Sequence, residues 1–393
     1  MISLTAVDGI PDDVTPTHDP ASYRKGVEEP GPDVGAWSSI ALSKGLARIA
    51  YQDREGGALK YAFERSRNEW SSYPVDAGTG EEVGRYASMV IDGEGRPAIA
   101  YIALGNDDGA GHRVTELRIA RANTQEPNKT NDWTTALIAS GTGTCAGLCN
   151  GGEACIVPNT PPAAGETCTA TTTDCTATCA DDEACIAGSC TTAIASTTTD
   201  IGSGTGLYVN LVLLPDGRLA AVYYDRNAHG LKLAIENGVG ATVFTESDLD
   251  GGTIGDRGLW ASAVVDGSGT IHIAYQDAIG DQLMYITWNG TPSAPEIVDD
   301  GQRAGDRTHS VGAAAAIYLV NGSPVIAYQD GLTADVYVAT KAGATWTTTG
   351  LATGLLLDGF SIAATTGHGT AYLAWDRLDP ALSPPNGLAV ETP

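Results

Sequence analysis

The phrase Ile49-Ala50-Tyr51-Gln52-Asp53 decides the fold, because versions of it recur along the chain. The other copies are Ile99-Ala100-Tyr101, Ala221-Val222-Tyr223-Tyr224-Asp225, Ile273-Ala274-Tyr275-Gln276-Asp277, Ile326-Ala327-Tyr328-Gln329-Asp330 and Leu373-Ala374-Trp375-Asp376. They follow one another at roughly 50 residues, a period typical of propeller blades, apart from one step that is about 70 residues longer. The repeat predicts six similar structural units with one insertion between the second and the third.

Each repeat is predicted to contain four short β-strands. An alternating segment comes first, and a tight turn then leads into the Ile-Ala-Tyr strand, which the alternation predicts to pack between blades. The turns are clearest at Asp92-Gly93, Asp216-Gly217, Asp266-Gly267 and Asn321-Gly322. A third strand follows, and a fourth begins near Trp70, Trp133 or Trp346. With 49 Gly and only 3 Phe, the composition also fits thin sheets and many turns. We therefore predict an all-β, six-bladed β-propeller.

The last repeat is short, and an unassigned strand stands at the start of the chain. Residues 4–9, Leu-Thr-Ala-Val-Asp-Gly, match residues 72–78, Ser-Tyr-Pro-Val-Asp-Ala-Gly, at the end of the first repeat. We predict that residues 3–8 form the outer strand of the last blade and so close the ring, because closure removes an exposed sheet edge.

The repeats resemble those of the β-propeller families related to sialidase-type (BNR) repeats. The family's S-x-D-x-G-x-x-W box is echoed by Gly343-Ala344-Thr345-Trp346 and by Glu69-Trp70-Ser71-Ser72. The resemblance covers nearly the whole chain outside the insertion. It implies the propeller fold and gives little support to a sialidase activity.

All eight cysteines fall in the insertion, in two sets of four that are offset by 30 residues. The sets are Cys145, Cys149, Cys155 and Cys168, and Cys175, Cys179, Cys185 and Cys190. The segment has few large apolar residues, so cross-links must hold it. Two zinc knuckles are the alternative, but C-x3-C-x5-C spacing without histidine fits zinc poorly. We predict four disulfides, paired within each set, and hence a secreted, cell-surface or periplasmic protein. No signal peptide is visible at Met1, so we expect a mature or trimmed chain.

The charge balance excludes some partners. The chain has 22 Lys+Arg and 48 Asp+Glu, a formal net charge of -26, which argues against nucleic acid. No apolar run is long enough to cross a bilayer, so no membrane insertion is expected. The predicted organisation is residues 1–140 for blades one and two with the closing strand, 141–200 for the insertion, and 201–393 for blades three to six.

Three sets of residues are predicted to share the face of the propeller that also carries the insertion. An aromatic set with one histidine enters the innermost strands: Trp37, Tyr86, Tyr208, Trp260, His309 and Phe360. An acidic set follows the second strands: Asp53, Asp225, Asp277, Asp330 and Asp376. The third set supplies one arginine per blade: Arg54, Arg85, Arg226, Arg257, Arg307 and Arg377. Either the Asp and Arg residues tie the blades together, or they join the aromatic rings in binding a sugar.

Two functions fit these residues. The first is a ligand-binding or adhesion module for a glycan, a peptide or a partner protein, bound on the face that carries the insertion. The alternative is a glycoside hydrolase or polysaccharide lyase acting on an acidic glycan, with an Asp as acid or base. The sequence leaves open whether the chain is an enzyme. It has no P-loop, G-x-S-x-G or H-E-x-x-H motif, and His18, His112, His229 and His309 lack ligand spacing, so no cofactor and no metal is expected. The insertion itself is either a ligand-binding element or a decoration without a ligand.

Overall fold

A computed structural model describes residues 7–9, 31–107, 113–142, 149, 151–156, 167–179, 183–194, 204–251, 256–367, 370–379 and 386–392. In these residues the chain is all-β, with a single 3₁₀ turn at Thr130–Asp132. The chain divides into two compact units. The first comprises Met1–Pro158 and Ala164–Gly206, and the second comprises Asn159–Ala163 and Leu207–Pro393.

The described strands of the repeats form six antiparallel sheets, which we number 1 to 6 in chain order. Sheet 1 contains β1 (Val34–Ser43), β2 (Leu46–Asp53), β3 (Ala58–Ser66) and β4 (Glu69–Asp76), and sheet 2 contains β5 (Glu82–Ile91), β6 (Pro97–Asp107), β7 (Arg113–Ala122) and β8 (Trp133–Thr142). An insert sheet contains β9 (Glu153–Ile156), β10 (Thr167–Ala170), β11 (Glu183–Ile186) and β12 (Ser189–Ile194). Sheet 3 contains β13 (Thr205–Leu213), β14 (Leu219–Asp225), β15 (Gly230–Glu236) and β16 (Phe244–Asp250), and sheet 4 contains β17 (Arg257–Val265), β18 (Ile271–Asp277), β19 (Gln282–Trp288) and β20 (Glu296–Asp299). Sheet 5 contains β21 (Val311–Val320), β22 (Ser323–Asp330), β23 (Asp335–Ala342) and β24 (Thr345–Ala352), and sheet 6 contains β25 (Leu357–Gly367), β26 (Thr370–Leu378) and β27 (Asn386–Glu391).

The predicted four-strand repeat is confirmed in sheets 1 to 5, and sheet 6 has three described strands. The short last repeat is therefore short in the structure as well. Of the predicted closing strand at residues 3–8, residues 3–6 lie outside the described part of the chain, and Val7 and Asp8 are described.

The hydrophobic core lies between consecutive sheets. Sheets 1 and 2 share one cluster, sheets 3 and 4 a second, sheets 4 and 5 a third, and sheets 5 and 6 a fourth. The repeated Ile-Ala-Tyr phrase supplies much of it: Tyr101, Tyr275 and Tyr328 are 0% exposed. Burial on both faces explains why these central strands are almost continuously apolar.

The first strand of each sheet has a distorted register. In β1, β5, β17, β21 and β25 the pairing with the second strand shifts twice within a few residues, as at β-bulges. A glycine with positive φ marks the first shift, and in sheets 2, 4, 5 and 6 it approaches the preceding sheet closely. At Gly258 and Gly312 an added Cβ would lie 3.1 Å from the Cα of Leu231 and of Leu283. Only glycine fits such a position without displacing the neighbouring backbone.

The insert sheet repeats one hairpin-like arrangement twice. Its strand order is β10-β9-β12-β11, and β9 and β11 carry the two Glu-Ala-Cys-Ile phrases. Disulfides join Cys149 to Cys168, Cys175 to Cys185, and Cys179 to Cys190. Cys155 is also disulfide-bonded, and Cys145 lies outside the described residues. The three described bonds confirm pairing within each set of four, at alternate cysteines.

Candidate functional site

The tyrosine of the repeated phrase fastens one sheet to the end of the sheet before it. Tyr101 donates its hydroxyl hydrogen to Asp76 at 2.6 Å, and Asp76 ends the outer strand of sheet 1. Tyr275 donates to Asp250 at 2.5 Å in the same way. Tyr328 donates to Asp299 at 2.6 Å. Burial, together with the aspartate that accepts each hydrogen bond, raises the pKa of these tyrosines well above the ordinary value.

Asp8 holds the equivalent position against sheet 1. Its carboxylate accepts a hydrogen bond from the Tyr51 hydroxyl at 2.5 Å and a second from the Lys60 ammonium group. Burial opposes ionisation of Asp8, but these donors outweigh it and hold the pKa of the carboxyl below its ordinary value. Asp8 thus relates to Tyr51 as Asp76 relates to Tyr101, which extends the predicted match between residues 4–9 and 72–78 to side-chain contacts.

The glutamine of the phrase points towards the sheet that follows. Gln276 Nε2 donates to the carbonyl oxygen of Val311 at 3.0 Å, and Gln329 Nε2 donates to that of Asp358 at 2.7 Å. Both acceptors immediately precede the positive-φ glycine of the next first strand. These bonds hold the start of each innermost strand in place.

The aspartate of the phrase closes the turn after the second strand. Asp277 accepts from the backbone N–H groups of Ile279 and Gly280, and Asp225, Asp330 and Asp53 accept from their own turns in the same manner. The side chains of Asp225, Asp277 and Asp330 also have cationic or histidine partners in the protein. Four of the predicted acidic site residues therefore stabilise the turns that follow their strands.

Asp376 is the exception in the acidic set. The register pairs Asp376 with Phe360, whereas in sheet 5 Gln329 pairs with Ala313 at the corresponding place. Asp376 consequently stands at the glutamine position and Arg377 at the aspartate position. The last copy of the phrase has no residue between Trp375 and Asp376. Matching its aspartate to those of the other copies therefore moves Asp376 one position away from its structural equivalent.

The predicted arginines differ in their partners. Arg257 bridges two sheets, since its Nε lies 2.9 Å from Asp277 and its Nη1 lies 3.1 Å from Asp250. Arg85 donates two hydrogen bonds to Glu82, at 2.8 and 3.0 Å. The blade-tying interpretation therefore fits Arg257, whereas Arg85 pairs with a residue of its own strand.

The other four predicted arginines differ from one another in their surroundings. Arg377 donates to Asp358 at 2.6 Å, and Arg54 Nη1 lies 3.8 Å from an oxygen of Asp33. Arg226 lies close enough to Tyr224 to oppose the rise in the pKa of that hydroxyl, which burial and Asp256 produce. Arg307 is exposed, and in the described part of the chain no carboxylate pairs with its side chain.

A buried charged cluster lies at the start of sheet 5. The sequence predicted two of its members as site residues, His309 and Asp330, and did not predict the other two, Arg303 and Asp299. His309, 4% exposed, has its Nδ1 2.6 Å from Asp330, and Arg303 lies 3.3 Å from the same carboxylate. Arg303 also makes a bidentate ion pair with Asp299, at 2.9 and 3.0 Å. Sequence reasoning missed Arg303 and the aspartates that end the outer strands. The usable signal was an apolar-Asp ending that recurs, at Val7-Asp8, Val75-Asp76, Leu249-Asp250 and Val298-Asp299.

The aromatic set is brought together in two pairs. The rings of Trp37 and Tyr86 lie 4.0 Å apart between centroids, and those of Tyr208 and Trp260 lie 4.9 Å apart. We call these the first and second aromatic pairs. All four residues have a φ of 52–53°, two positions after the positive-φ glycine. Such a backbone costs about 1–3 kcal/mol for a non-glycine residue, so the double bulge must hold the rings in this orientation.

Sheets 5 and 6 lack an aromatic residue at this place. Ala314 and Ser361 have the corresponding φ values of 49° and 53°. Phe360 lies one residue before the position, and His309 precedes the first strand. Phe360 and His309 therefore do not share the backbone position of the other four rings, and their part in binding stays a prediction.

The glutamine position differs in three sheets, with Ile102 in sheet 2, Asp376 in sheet 6 and a tyrosine in sheet 3. Tyr224 occupies the glutamine position, and its hydroxyl donates to the side chain of Asp256 instead of to a backbone carbonyl. His229 Nδ1 lies 3.4 Å from the same carboxylate. The Tyr224 ring lies 6.4 Å from that of Tyr208, so this group adjoins the second aromatic pair.

The described residues contain one cluster with ligand spacing for a metal: Cys175, Cys179 and Cys190. All three are disulfide-bonded, which removes their thiolates as ligands. His229 and His309 each contact carboxylates, as given above. His18 and His112 lie outside the described residues.

Comparisons with known proteins identify the kind of fold. No protein-family model and no curated protein matches the chain. A solved structure of a protein of unknown function from Dyadobacter fermentans covers 91% of this chain and 93% of its own, with 12% identity and a TM-score of 0.53. The Trypanosoma rangeli sialidase in complex with the inhibitor DANA covers 92% of this chain with 9% identity and a TM-score of 0.50. The fold is β-propeller-like. The likeness to the sialidase spans 55% of that protein's chain, and at these identities it concerns the fold alone.

No helix among the described residues is long and apolar enough to cross a membrane.

Proposed function

We propose that this protein is an extracellular or periplasmic carbohydrate-binding protein, with the sugar stacked on the aromatic pairs of the innermost strands. The observation that carries the proposal is the display of these rings. Trp37 and Trp260, in the first strands of sheets 1 and 4, are each 36% exposed. Flat apolar faces with polar groups at their edges suit the faces of sugar rings.

The repeated charged residues favour binding over hydrolysis. Hydrolysis of a glycosidic bond uses two carboxyl groups that act on the substrate. In the described residues, Asp53, Asp225, Asp277 and Asp330 instead accept hydrogen bonds from their own turns. A hydrolase or lyase acting on an acidic glycan stays the alternative, and release of reducing ends from a polysaccharide by the purified protein would favour it.

The disulfides support the proposed location. Disulfides persist in oxidising compartments, and the insert sheet has few buried apolar side chains of its own. We expect the insertion to lie on the sugar-binding face. A peptide or a protein is the alternative to a sugar as the ligand of that face.

We also infer that the six sheets are the blades of a propeller whose last blade is completed by residues 3–8. The contacts of Asp8 support this, because Asp76, Asp250 and Asp299 each end an outer strand and accept from the tyrosine of the following sheet. By the same rule the inferred outer strand before sheet 1 leads into Asp8, which itself lies at a bend.

A carbohydrate array tests the proposed function. We expect the wild-type protein to bind a defined set of glycans and the double variant Trp37→Ala, Trp260→Ala to lose that binding while keeping its thermal stability within a few degrees. The matched control is Trp70→Ala, which removes a partly exposed tryptophan from the outer strand of sheet 1. Equal binding by the double variant and the control would contradict the proposal.

A further inference from the structure

The second aromatic pair differs from the first in the polar groups beside it. Next to the first pair, Arg85 and Gln52 both donate to Glu82, at 2.8 and 2.9 Å, so an arginine pairs directly with that carboxylate, although the Glu82 side chain is 27% exposed and Gln52 Oε1 has no partner. Next to the second pair, Asp256 receives the Tyr224 hydroxyl and the His229 ring, and its side chain is still 24% exposed.

The difference has one cause in the sequence. Sheets 1, 4 and 5 have Gln52, Gln276 and Gln329 before the aspartate of the repeated phrase, and each donates to the backbone of the next sheet. Sheet 3 has Tyr224 there, which is too long for that bond and reaches the Asp256 side chain. The tyrosine therefore gives sheet 3 a side-chain contact with Asp256 that the glutamines of sheets 1, 4 and 5 do not make.

The Asp256 carboxylate is held in a fixed orientation. Its own backbone carbonyl accepts from the N–H of Ala278 at 2.9 Å, and the next residue, Arg257, is anchored through Asp250 and Asp277. One oxygen accepts from Tyr224, and the partial exposure leaves acceptor capacity for another donor. A positioned carboxylate at the edge of a stacking surface is a suitable acceptor for sugar hydroxyl groups, and His229, 31% exposed, adds a second polar group.

The surrounding charges disfavour an acidic ligand here. Two aspartates neutralise the guanidinium of Arg257, and Arg226, near the Tyr224 hydroxyl, is another cation on this side of the pair. The carboxylate of Asp256 would repel a ligand carboxylate at close range, and the net charge of -26 adds repulsion until it is screened, at roughly 8 Å in physiological salt. These charges favour a neutral ligand at this place.

We propose that Tyr208, Trp260, Asp256 and His229 form the principal subsite for an uncharged sugar residue, which stacks on the two rings and donates hydroxyl hydrogens to Asp256. The assignment rests on the proposed carbohydrate binding and adds its location and ligand class. The first aromatic pair contributes stacking without this polar selection.

Calorimetric titration with defined oligosaccharides tests the subsite. The neutral probes are cello-, manno-, xylo- and arabino-oligosaccharides, and the acidic probes are oligogalacturonate and sialyllactose. The informative variant is Tyr224→Gln, which gives sheet 3 the residue of sheets 1, 4 and 5 and should preserve folding. Asp256→Asn and Asp256→Ala remove the acceptor charge or the whole group, and Glu82→Gln is the control beside the first pair.

We expect the best neutral probe to lose about 10- to 100-fold in affinity in Asp256→Ala and Tyr224→Gln, since a hydrogen bond to a charged group is lost or misplaced, and to lose less than threefold in Glu82→Gln. Preference for an acidic probe, or unchanged affinity in both Asp256 variants while the double tryptophan variant loses binding, would overturn the subsite and leave the proposed function standing. Binding of no probe, or binding that is indifferent to the tryptophans, would overturn both. Melting curves of every variant separate loss of the site from loss of the fold.

Discussion

Replacing Asp299 with asparagine should destabilise the protein strongly, although the side chain keeps its shape. Asp299 is 7% exposed and accepts from Arg303 twice, from the Tyr328 hydroxyl at 2.6 Å and from the N–H of Gly301 at 2.9 Å. Removing one partner of a buried ion pair costs about 3–5 kcal/mol. Asp330 still lies 3.3 Å from Arg303, so we expect the lower end, about 3 kcal/mol.

The assay is calorimetric or chemical unfolding of Asp299→Asn beside a matched control. At about 2–4 °C per kcal/mol for a unit of this size, the melting temperature should fall by about 6–12 °C. The control is Asp248→Asn, which changes an aspartate whose side chain is 88% exposed and should shift stability by less than about 0.5 kcal/mol.

The pH dependence gives this prediction a second test. Burial raises the pKa of Asp299, but the hydrogen bonds from Arg303 and Tyr328 outweigh burial and keep the pKa below its ordinary value. A lowered folded-state pKa means that the stabilisation is present above the unfolded value, near 3.9, and is lost as the pH falls through the folded-state value. The gap between wild type and Asp299→Asn should therefore narrow below about pH 4. Equal stability of the two proteins at neutral pH would refute the view that these aspartates fasten the sheets.

Four further outcomes are expected. Tyr275→Phe should cost about 1.5–3 kcal/mol in denaturant unfolding because Asp250 loses a donor, and a neutral effect would argue against the tyrosine contact. The free energy of unfolding should fall above about pH 10, by about 1.4 kcal/mol per pH unit for each tyrosine whose pKa burial raises. A tyrosine whose pKa is higher in the folded protein stabilises it fully below the unfolded-state pKa, and this stabilisation is lost as the pH rises. Unfolding followed by tyrosinate absorbance checks it. Reduction should increase hydrogen exchange in residues 153–194 and leave β14, β18 and β22 protected, because all described disulfides lie in the insertion; exchange spreading into those strands would contradict this. Asp8→Asn and Tyr51→Phe should each destabilise, and their double variant should lose less than the sum because they share one contact; additive losses would count against the closing strand.

The fold could be predicted because the residues that form the core of each sheet recur in every repeat. Each sheet must bury the same Ile-Ala-Tyr strand against its neighbours, so the phrase recurs and its period gives the architecture. The disulfide pairing within each set followed from the same repetition in the insertion. The last sheet was also predictable as a short repeat.

The binding site was harder to predict, because the residues that recur most clearly are those that stabilise the fold. Tyr275 fastens to the previous sheet, Gln276 to the next sheet and Asp277 to its own turn, and this is why the phrase recurs. The contact between each outer-strand aspartate and a tyrosine about 25 residues further on leaves no local spacing pattern, so only the recurring apolar-Asp ending could have indicated it. The aromatic position is defined by its distance from the positive-φ glycine, and backbone irregularity of this kind is not visible in side-chain alternation.

Stability and glycan affinity, measured together on Tyr275→Phe and Trp260→Ala, separate the structural residues from the binding residues most directly. We expect Tyr275→Phe to lower the unfolding free energy by about 1.5–3 kcal/mol and to keep the affinity of the folded protein for its best neutral oligosaccharide. We expect Trp260→Ala to lose that affinity by at least about tenfold, with a much smaller change in stability. The opposite result, in which Tyr275→Phe abolishes binding and Trp260→Ala only unfolds the protein, would contradict this separation.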